Sequence, residues 1–191
     1  MDLIVKRITG KECHFLILNF HYAARIPCIQ YAFGLYEDNN LIGCVTYGQP
    51  ASPWIKVSMF GHNSNIDVLE LNRLVIIKDI PNAASFLIGQ SFKLLPKQIA
   101  LVSYADTQFG HVGYVYQATN WLYAGKTKER TDKYSESGHS RHYDPTTIQR
   151  QYRSAKYRYW MCRDRHIKQL CKWESLPYPK EETHKTIVRI A

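Results

Sequence analysis

Three features of the 191-residue sequence predict a mixed α/β domain, of the α+β kind, built on a central sheet flanked by helices. Short β-branched or aromatic runs alternate with segments of helical spacing, as they must when helices cover a sheet. Capping and turn residues punctuate the boundaries between them. The composition, 45% hydrophobic and 21% charged with ten glycines and eight prolines, suits one folded domain and excludes collagen, coiled coil and a largely disordered chain.

Residues 3–8 alternate weakly and read as a first strand. Thr9, with Glu12 three positions on, forms a capping box ahead of Phe15, Leu16, Ile17, Leu18 and Phe20, which predicts a helix over 10–24, ended by Pro27. Residues 30–37 and 41–48 are β-rich runs joined by Asp38, Asn39 and Asn40, a hairpin signal. The run 54–60 reads as an edge strand. Residues 69–77 read as a central strand interrupted by Glu70, Asn72 and Arg73. Pro81 and Asn82 precede a helix over 83–95, with Asn82 as its cap. A short buried strand at 99–104 turns through 105–110 into a helix over 111–120. A strand at 121–128 follows. Asp144 and Pro145 then open a basic helix to about residue 155. A strand at 156–162 and a helix at 163–173 complete the order. The whole of 1–191 reads as one domain, with 126–180 a basic, aromatic-rich C-terminal part.

Charge narrows the function. The chain has 25 Lys and Arg against 16 Asp and Glu, a net charge of +9. Between Lys126 and Lys172 thirteen basic residues face five acidic ones, so this stretch carries nearly the whole surplus. Tyr134, Tyr143, Tyr152, Tyr157, Tyr159 and Trp160 stand among those cations. Aromatic planes beside guanidinium groups stack on bases while the cations grip phosphates, so the segment predicts nucleic-acid contact; a solvated basic face is the plainer alternative. Five cysteines without a Cys-x-x-Cys pair suggest neither a disulfide framework nor a zinc ribbon. His139 and His142 show no metal-ligand spacing, and no metal is assigned. No apolar run approaches the roughly 18 residues of a membrane span, and residues 1–11 lack a secretory signal, which makes the cytoplasm the expected compartment.

Several segments carry a resemblance. Leu101-Val-Ser-Tyr-Ala-Asp106, Gly110-His-Val-Gly-Tyr-Val-Tyr-Gln-Ala-Thr-Asn-Trp121, Glu70-Leu-Asn-Arg-Leu-Val75, Pro81-Asn-Ala-Ala-Ser-Phe86 and Leu176-Pro-Tyr-Pro-Lys180 together resemble the Mom family of bacteriophage DNA-modification proteins, over residues 21–180. The resemblance implies a transferase that adds a carbamoylmethyl (acetamido) group to adenine N6 in phage DNA and so blocks host restriction. It also implies the fold of the Gcn5-related N-acetyltransferases, with the donor in a V-shaped opening between the strands at 69–77 and 99–104. That fold cradles coenzyme A at a glycine-rich turn before a helix. Here the matching turn is residues 78–85, where Asn82, Ala83, Ala84 and Ser85 supply small or hydrogen-bonding groups but no glycine. The donor is therefore expected to be an acyl-coenzyme A or an aminoacyl-tRNA, the latter suiting the basic surface. Such acetyltransferases often carry Tyr-x-x-x-Gly-Phe. Tyr116 to Trp121 keeps the spacing, with Asn120 in the glycine position, and nominates Tyr116 as general acid or, in the bland reading, as a core tyrosine.

Adenine N6 is a poor nucleophile, because its lone pair is delocalised into the ring, and needs a proton acceptor and a positioner. Asp106 lies just past a central strand, where open sheets place ligand chemistry, and is either that acceptor or the cap of the next helix. His111 takes the proton, holds a phosphate, or is a surface histidine. Arg73 points to a phosphate or donor carbonyl and Asn72 to a base edge. Odd spacing places Glu70 and Arg73 on opposite strand faces, so one of them needs a different partner. His21, Tyr22 and Arg25 close the first helix beside the acceptor groove, where they hold DNA or answer the helix dipole. Reaching N6 requires extruding the adenine from the double-stranded DNA, with Tyr104, Tyr114 or Trp54 stacking on it and Arg150, Arg153 and Arg158 holding the backbone. A binding module without catalysis on the same scaffold is the alternative from another class. An acetyltransferase for small molecules or proteins is disfavoured by the missing glycines and the charge.

Overall fold

The computed structural model describes residues 2–134 and 145–180. In chain order the elements are β1 (Leu3–Ile8), a 3₁₀ turn (Lys11–Cys13) that runs into α1 (His14–Phe20), β2 (Tyr31–Glu37), β3 (Asn40–Gly48), α2 (Trp54–Phe60), β4 (Asp67–Ile76), α3 (Ala83–Leu94), β5 (Ile99–Asp106), a 3₁₀ turn (Thr107–Phe109), α4 (Tyr114–Ala118), β6 (Leu122–Lys126), β7 (Arg130–Lys133), β8 (Arg150–Arg153), β9 (Lys156–Cys162) and α5 (Arg165–Leu170).

Seven strands form the main sheet in the order β1-β2-β3-β4-β5-β9-β6, and β7 and β8 pair as a separate ribbon. Every neighbouring pair is antiparallel except β4 and β5, which run parallel through the crossover that contains α3. Period-two alternation sends Phe33, Val45, Leu69 and Leu101 to one face, under Leu87 and Ile88 of α3. Val68, Ala100 and Val102 go to the other, against Met59 of α2 and Ile167 of α5. On that same side Leu16 and Ile17 of α1 pack on Ala32, Cys44 and Val75.

Some expected elements take another form. Glu12 accepts the Thr9 N–H at 2.7 Å, so the capping contact is present. The helix nonetheless stops at Phe20, because His21 is extended, and residues 21–30 are left as a loop over the strand ends. The expected edge strand at 54–60 is the helix α2: Pro53 pre-sets its first turn and Met59 is buried beneath it. The expected basic helix at 145–155 is the strand β8, because β7 supplies a ladder partner at every one of its four residues. Asn82 stands at the head of α3 but in the left-handed region, φ 61°, and its side chain makes no cap bond. Among the described residues no helix is long and apolar enough to cross a membrane.

Candidate functional site

β4 and β5 pair only over Asp67–Glu70 and Ile99–Val102. Beyond that point the strands part. Ser103 bridges the gap: its hydroxyl lies 2.8 Å from the Leu71 carbonyl and 2.7 Å from the Tyr116 hydroxyl. A serine has one proton to give, and the carbonyl can only accept, so Ser103 donates to Leu71 and accepts from Tyr116.

The parting opens a cleft of ≈ 1220 Å³. It brings together His21, Tyr22, Arg25, Asn72, Arg73, Tyr104, Asp106, His111, Tyr114, Tyr116 and Arg153. These residues come from five separate stretches of chain. Glu70, Phe109, Lys128, Arg130, Ser154 and Lys156 join them in the lining.

A bulge explains how β4 serves the cleft. Thr46 pairs with Arg73 and Tyr47 with Leu71, so Asn72 is the extra residue. It resets the alternation, and Glu70 and Arg73 share one face rather than the opposite faces that strict period two requires. Asn72 itself is spent on structure, accepting from Thr46 Oγ1 at 2.6 Å and donating to the Cys28 carbonyl at 3.0 Å. Arg73 Nε donates to the Arg25 carbonyl at 3.2 Å and so ties the loop to the strand. Gly48 makes the same junction possible, since a Cβ there would stand 1.9 Å from the Cys28 oxygen.

Burial raises the Glu70 carboxyl above the ordinary range, although the Ala51 N–H and the Arg73 and Lys156 charges oppose this. Burial and the nearby Glu70 push the Tyr104 phenol up. Burial does the same to Tyr116, against the Ser103 hydrogen bond. Burial with the Arg73 and His111 charges lowers His21 to about 4, so its ring is neutral at pH 7. His21 Nδ1 accepts the Ala23 N–H at 3.0 Å, which places the ring proton on Nε2.

Asp106 caps the 3₁₀ turn by accepting the Gln108 N–H at 3.0 Å. It also accepts from the Ser154 hydroxyl and the Lys156 ammonium. Burial alone would raise its carboxyl, but Lys156, Ser154 and Gln108 together hold it below the usual range. Asp106 is therefore an engaged anion on the cleft floor.

The mouth is aromatic. Tyr22 lies 4.3 Å from His21, 4.2 Å from Phe109 and 5.8 Å from His111, centroid to centroid. Tyr22, Phe109 and Tyr114 are exposed there. The segment 110–116 is fixed from below, where the Tyr159 hydroxyl donates to the Val112 carbonyl. Gly113, φ 89°, is required there, because a Cβ would stand 2.4 Å from the Tyr159 ring.

Other expected site residues lie elsewhere. Trp54 is 64% exposed, edge-on to His62 at 5.7 Å, and does not line the cleft. Arg158 donates to the Ala124 carbonyl at 2.7 Å and its guanidinium sits 3.9 Å from the Trp173 ring centre; it holds β9, β6 and the C-terminal segment together. Arg150 is exposed on the ribbon, outside the lining. Asn120 ends α4 at φ 60°, in the left-handed form that asparagine tolerates, away from the cleft. Asn82, Ala83, Ala84 and Ser85 also lie outside it. Ala83 is buried, the Ser85 hydroxyl donates to the Asn82 carbonyl at 2.9 Å, and Lys78 is paired with Glu37. The turn has no glycine, and the Ala83 N–H already donates to the Ile80 carbonyl at 3.2 Å. Among the described residues no cluster of three His, Cys, Asp or Glu could hold a metal; His139 and His142 lie outside the described residues.

Glu70, Phe109, Lys128, Arg130, Ser154 and Lys156 line the cleft without having been expected as individual site residues. Glu70 was visible as a charge in an apolar strand. Lys128, Arg130 and Lys156 were visible only as members of the basic segment, and Phe109 and Ser154 had no sequence signal.

The Mom protein family matches residues 2–180. Methylcarbamoylase mom of Escherichia phage Mu is 28% identical over 130 residues, 65% of this chain and 54% of that protein. The chain thus spans about half the length of the curated relative it matches. Among solved structures, an N-acetyltransferase from Staphylococcus aureus Mu50 superposes with a TM-score of 0.53 at 12% identity, covering 86% of this chain and 100% of that one. A spermidine N-acetyltransferase chimera from Vibrio cholerae gives 0.53 at 11% identity, covering 89% and 98%. An acetyltransferase of the GNAT family from Streptococcus pneumoniae gives 0.50 at 10%, covering 84% and 99%. At such identities the likeness is one of fold, and the parted sheet is an acetyltransferase-like sheet. The match over residues 2–180 establishes the chain as a member of the Mom protein family.

Proposed function

We propose that the chain is a DNA-modification transferase that places a carbamoylmethyl group on adenine N6 and thereby protects phage DNA from host restriction. The observation that carries this reading is the cleft itself. It joins a carboxyl raised by burial, a tyrosine that keeps its proton and a mouth of exposed aromatic rings, within a member of the Mom family.

The reaction needs two proton transfers. As the bond from N6 to the donor carbon forms, N6 must lose a proton; as that carbon parts from its carrier, the leaving atom must gain one. Asp106 was the expected acceptor, but its oxygens already serve Lys156, Ser154 and Gln108. We assign the acceptor role to Glu70, whose raised carboxyl binds a proton more readily than an ordinary one, and the donor role to Tyr116. The Asp106 and Lys156 pair fixes an ammonium on the cleft floor, suited to hold a donor carbonyl or phosphate. Tyr22, Phe109 and Tyr114 stack on the extruded base, and duplex DNA is the substrate. The donor is an activated acyl compound, and the turn at 78–85, which has no glycine, favours aminoacyl-tRNA over acyl-coenzyme A. N6 attack on the carbonyl carbon of a glycyl ester releases the tRNA hydroxyl and leaves N6–CO–CH2–NH2, which has the same atoms as the carbamoylmethyl group and reaches it by isomerisation.

The test is mass spectrometry of nucleosides from a bacterial strain expressing the chain. The expected result is an adenosine in which one hydrogen is replaced by a carbamoylmethyl group. Wholly unmodified adenine beside soluble protein would overturn the reading, and DNA binding without modification would leave a binding module on a transferase scaffold.

A further inference from the structure

The β7–β8 ribbon stands outside the main sheet, and its register sorts its side chains. Directly opposed residues share a face. Arg130 opposes Arg153 and Asp132 opposes Gln151, and all four line the cleft. Thr131 opposes Tyr152 and Lys133 opposes Arg150, and none of these does. The ribbon therefore has an inner face toward the cleft and an outer face away from it.

The faces handle charge differently. Like charges set directly across a ladder destabilise it. On the inner face Asp132 stands between the arginines, accepting from Arg130 Nε at 3.0 Å and Arg153 Nε at 3.3 Å. On the outer face Lys133 reaches the Pro145 carbonyl at 2.9 Å, Arg150 is exposed, and Tyr152 is 56% exposed.

Resting on the reading that DNA is the substrate, we propose that the outer face of the ribbon is a docking surface for the major groove of duplex DNA. Lys133 and Arg150 meet backbone phosphates, while the inner face turns toward the extruded base. The dimensions suit this. Strands about 4.8 Å apart and four residues, or about 13 Å, long fit a groove about 12 Å wide, which accepts a two-stranded ribbon. The deep, narrow major groove of A-form RNA does not. Charge complementarity supplies the rest: the four outer-face residues, Thr131, Lys133, Arg150 and Tyr152, include two cations and no acid, facing a polyanion.

The test uses the full chain without donor and a short labelled DNA duplex, with binding measured by fluorescence polarisation across a salt series. The Lys133→Ala/Arg150→Ala variant is compared with Lys93→Ala/Lys97→Ala, which removes the same charge from α3 and the turn after it. The ribbon variant is expected to bind about tenfold more weakly near 0.1 M salt, with the slope of log affinity against log salt reduced by about 2. The control pair should stay within about twofold of the parent. Thermal midpoints check folding, and Arg150→Gln alone replaces the double variant if that unfolds. Equal loss in both pairs, or a loss confined to a tRNA probe, would overturn the proposal. The chemistry fails separately: ribbon-dependent binding with unmodified adenine keeps the docking surface and removes the transferase. Full modification by a ribbon variant that binds as tightly as the parent does the reverse.

Discussion

Tyr116 is buried, and its hydroxyl proton is directed at Ser103. Tyr116→Phe removes one proton and one hydrogen bond while keeping the ring against Trp121 and Tyr159. Modified adenine should fall about 10²-fold or more in nucleoside digests, with a stability loss of only about 1 kcal/mol by denaturant titration. Glu70→Gln makes the complementary case. It keeps the shape and removes a charge that burial disfavours, so stability should hold or rise while modification falls by about 10² to 10⁴. A variant active at the parent level would return the acceptor role to another residue. At this scale the sequence pointed well to cleft residues, because Asp106, His111, Tyr114 and Tyr116 follow a strand end. It pointed poorly to their couplings: Lys156 reaches Asp106 across 50 positions, and pairing at that distance leaves no local pattern.

Elements supported by their own turn chemistry were legible. The hairpin of β2 and β3 turns on Asp38 and Asn39, φ 46° and 68°, the left-handed pair that a tight hairpin needs. Elements decided by tertiary contact were not. Trp54–Phe60 is aromatic and β-branched enough to read as a strand, yet the need to bury Met59 makes it a helix. β8 exists because β7 lies beside it. The loop from β5 to α4 carries the element-scale prediction. Gly113→Ala forces a Cβ into the Tyr159 ring at a backbone angle that L-residues resist. It should cost about 2 to 4 kcal/mol in chemical denaturation and lower modification further by moving Tyr114 and Tyr116.

For the whole molecule, acid should loosen the fold through the cleft. His21 titrates near 6.5 when unfolded and about 4 when folded, so the unfolded chain binds more protons between those values and stability falls as pH drops through them. The partly exposed ring supports about 2 kcal/mol once screening is allowed for. Asp106, held low in the fold, adds a loss as pH falls below the ordinary carboxylate range. Denaturant titrations from pH 7 to 4 should show His21→Gln losing less stability than the parent; parallel curves would assign the acid sensitivity elsewhere.

The extra residue at position 72 ties the face that Glu70 and Arg73 share to the register of β3. Excising it would let β3 and β4 zip without interruption and keep Glu70 and Arg73 on one face, at the expense of the contacts that Asn72 makes to Thr46 and the Cys28 carbonyl. Giving Asn72 a partner, by inserting a residue between Thr46 and Tyr47, would instead restore strict alternation and send Glu70 and Arg73 to opposite faces, parting the acid from the guanidinium.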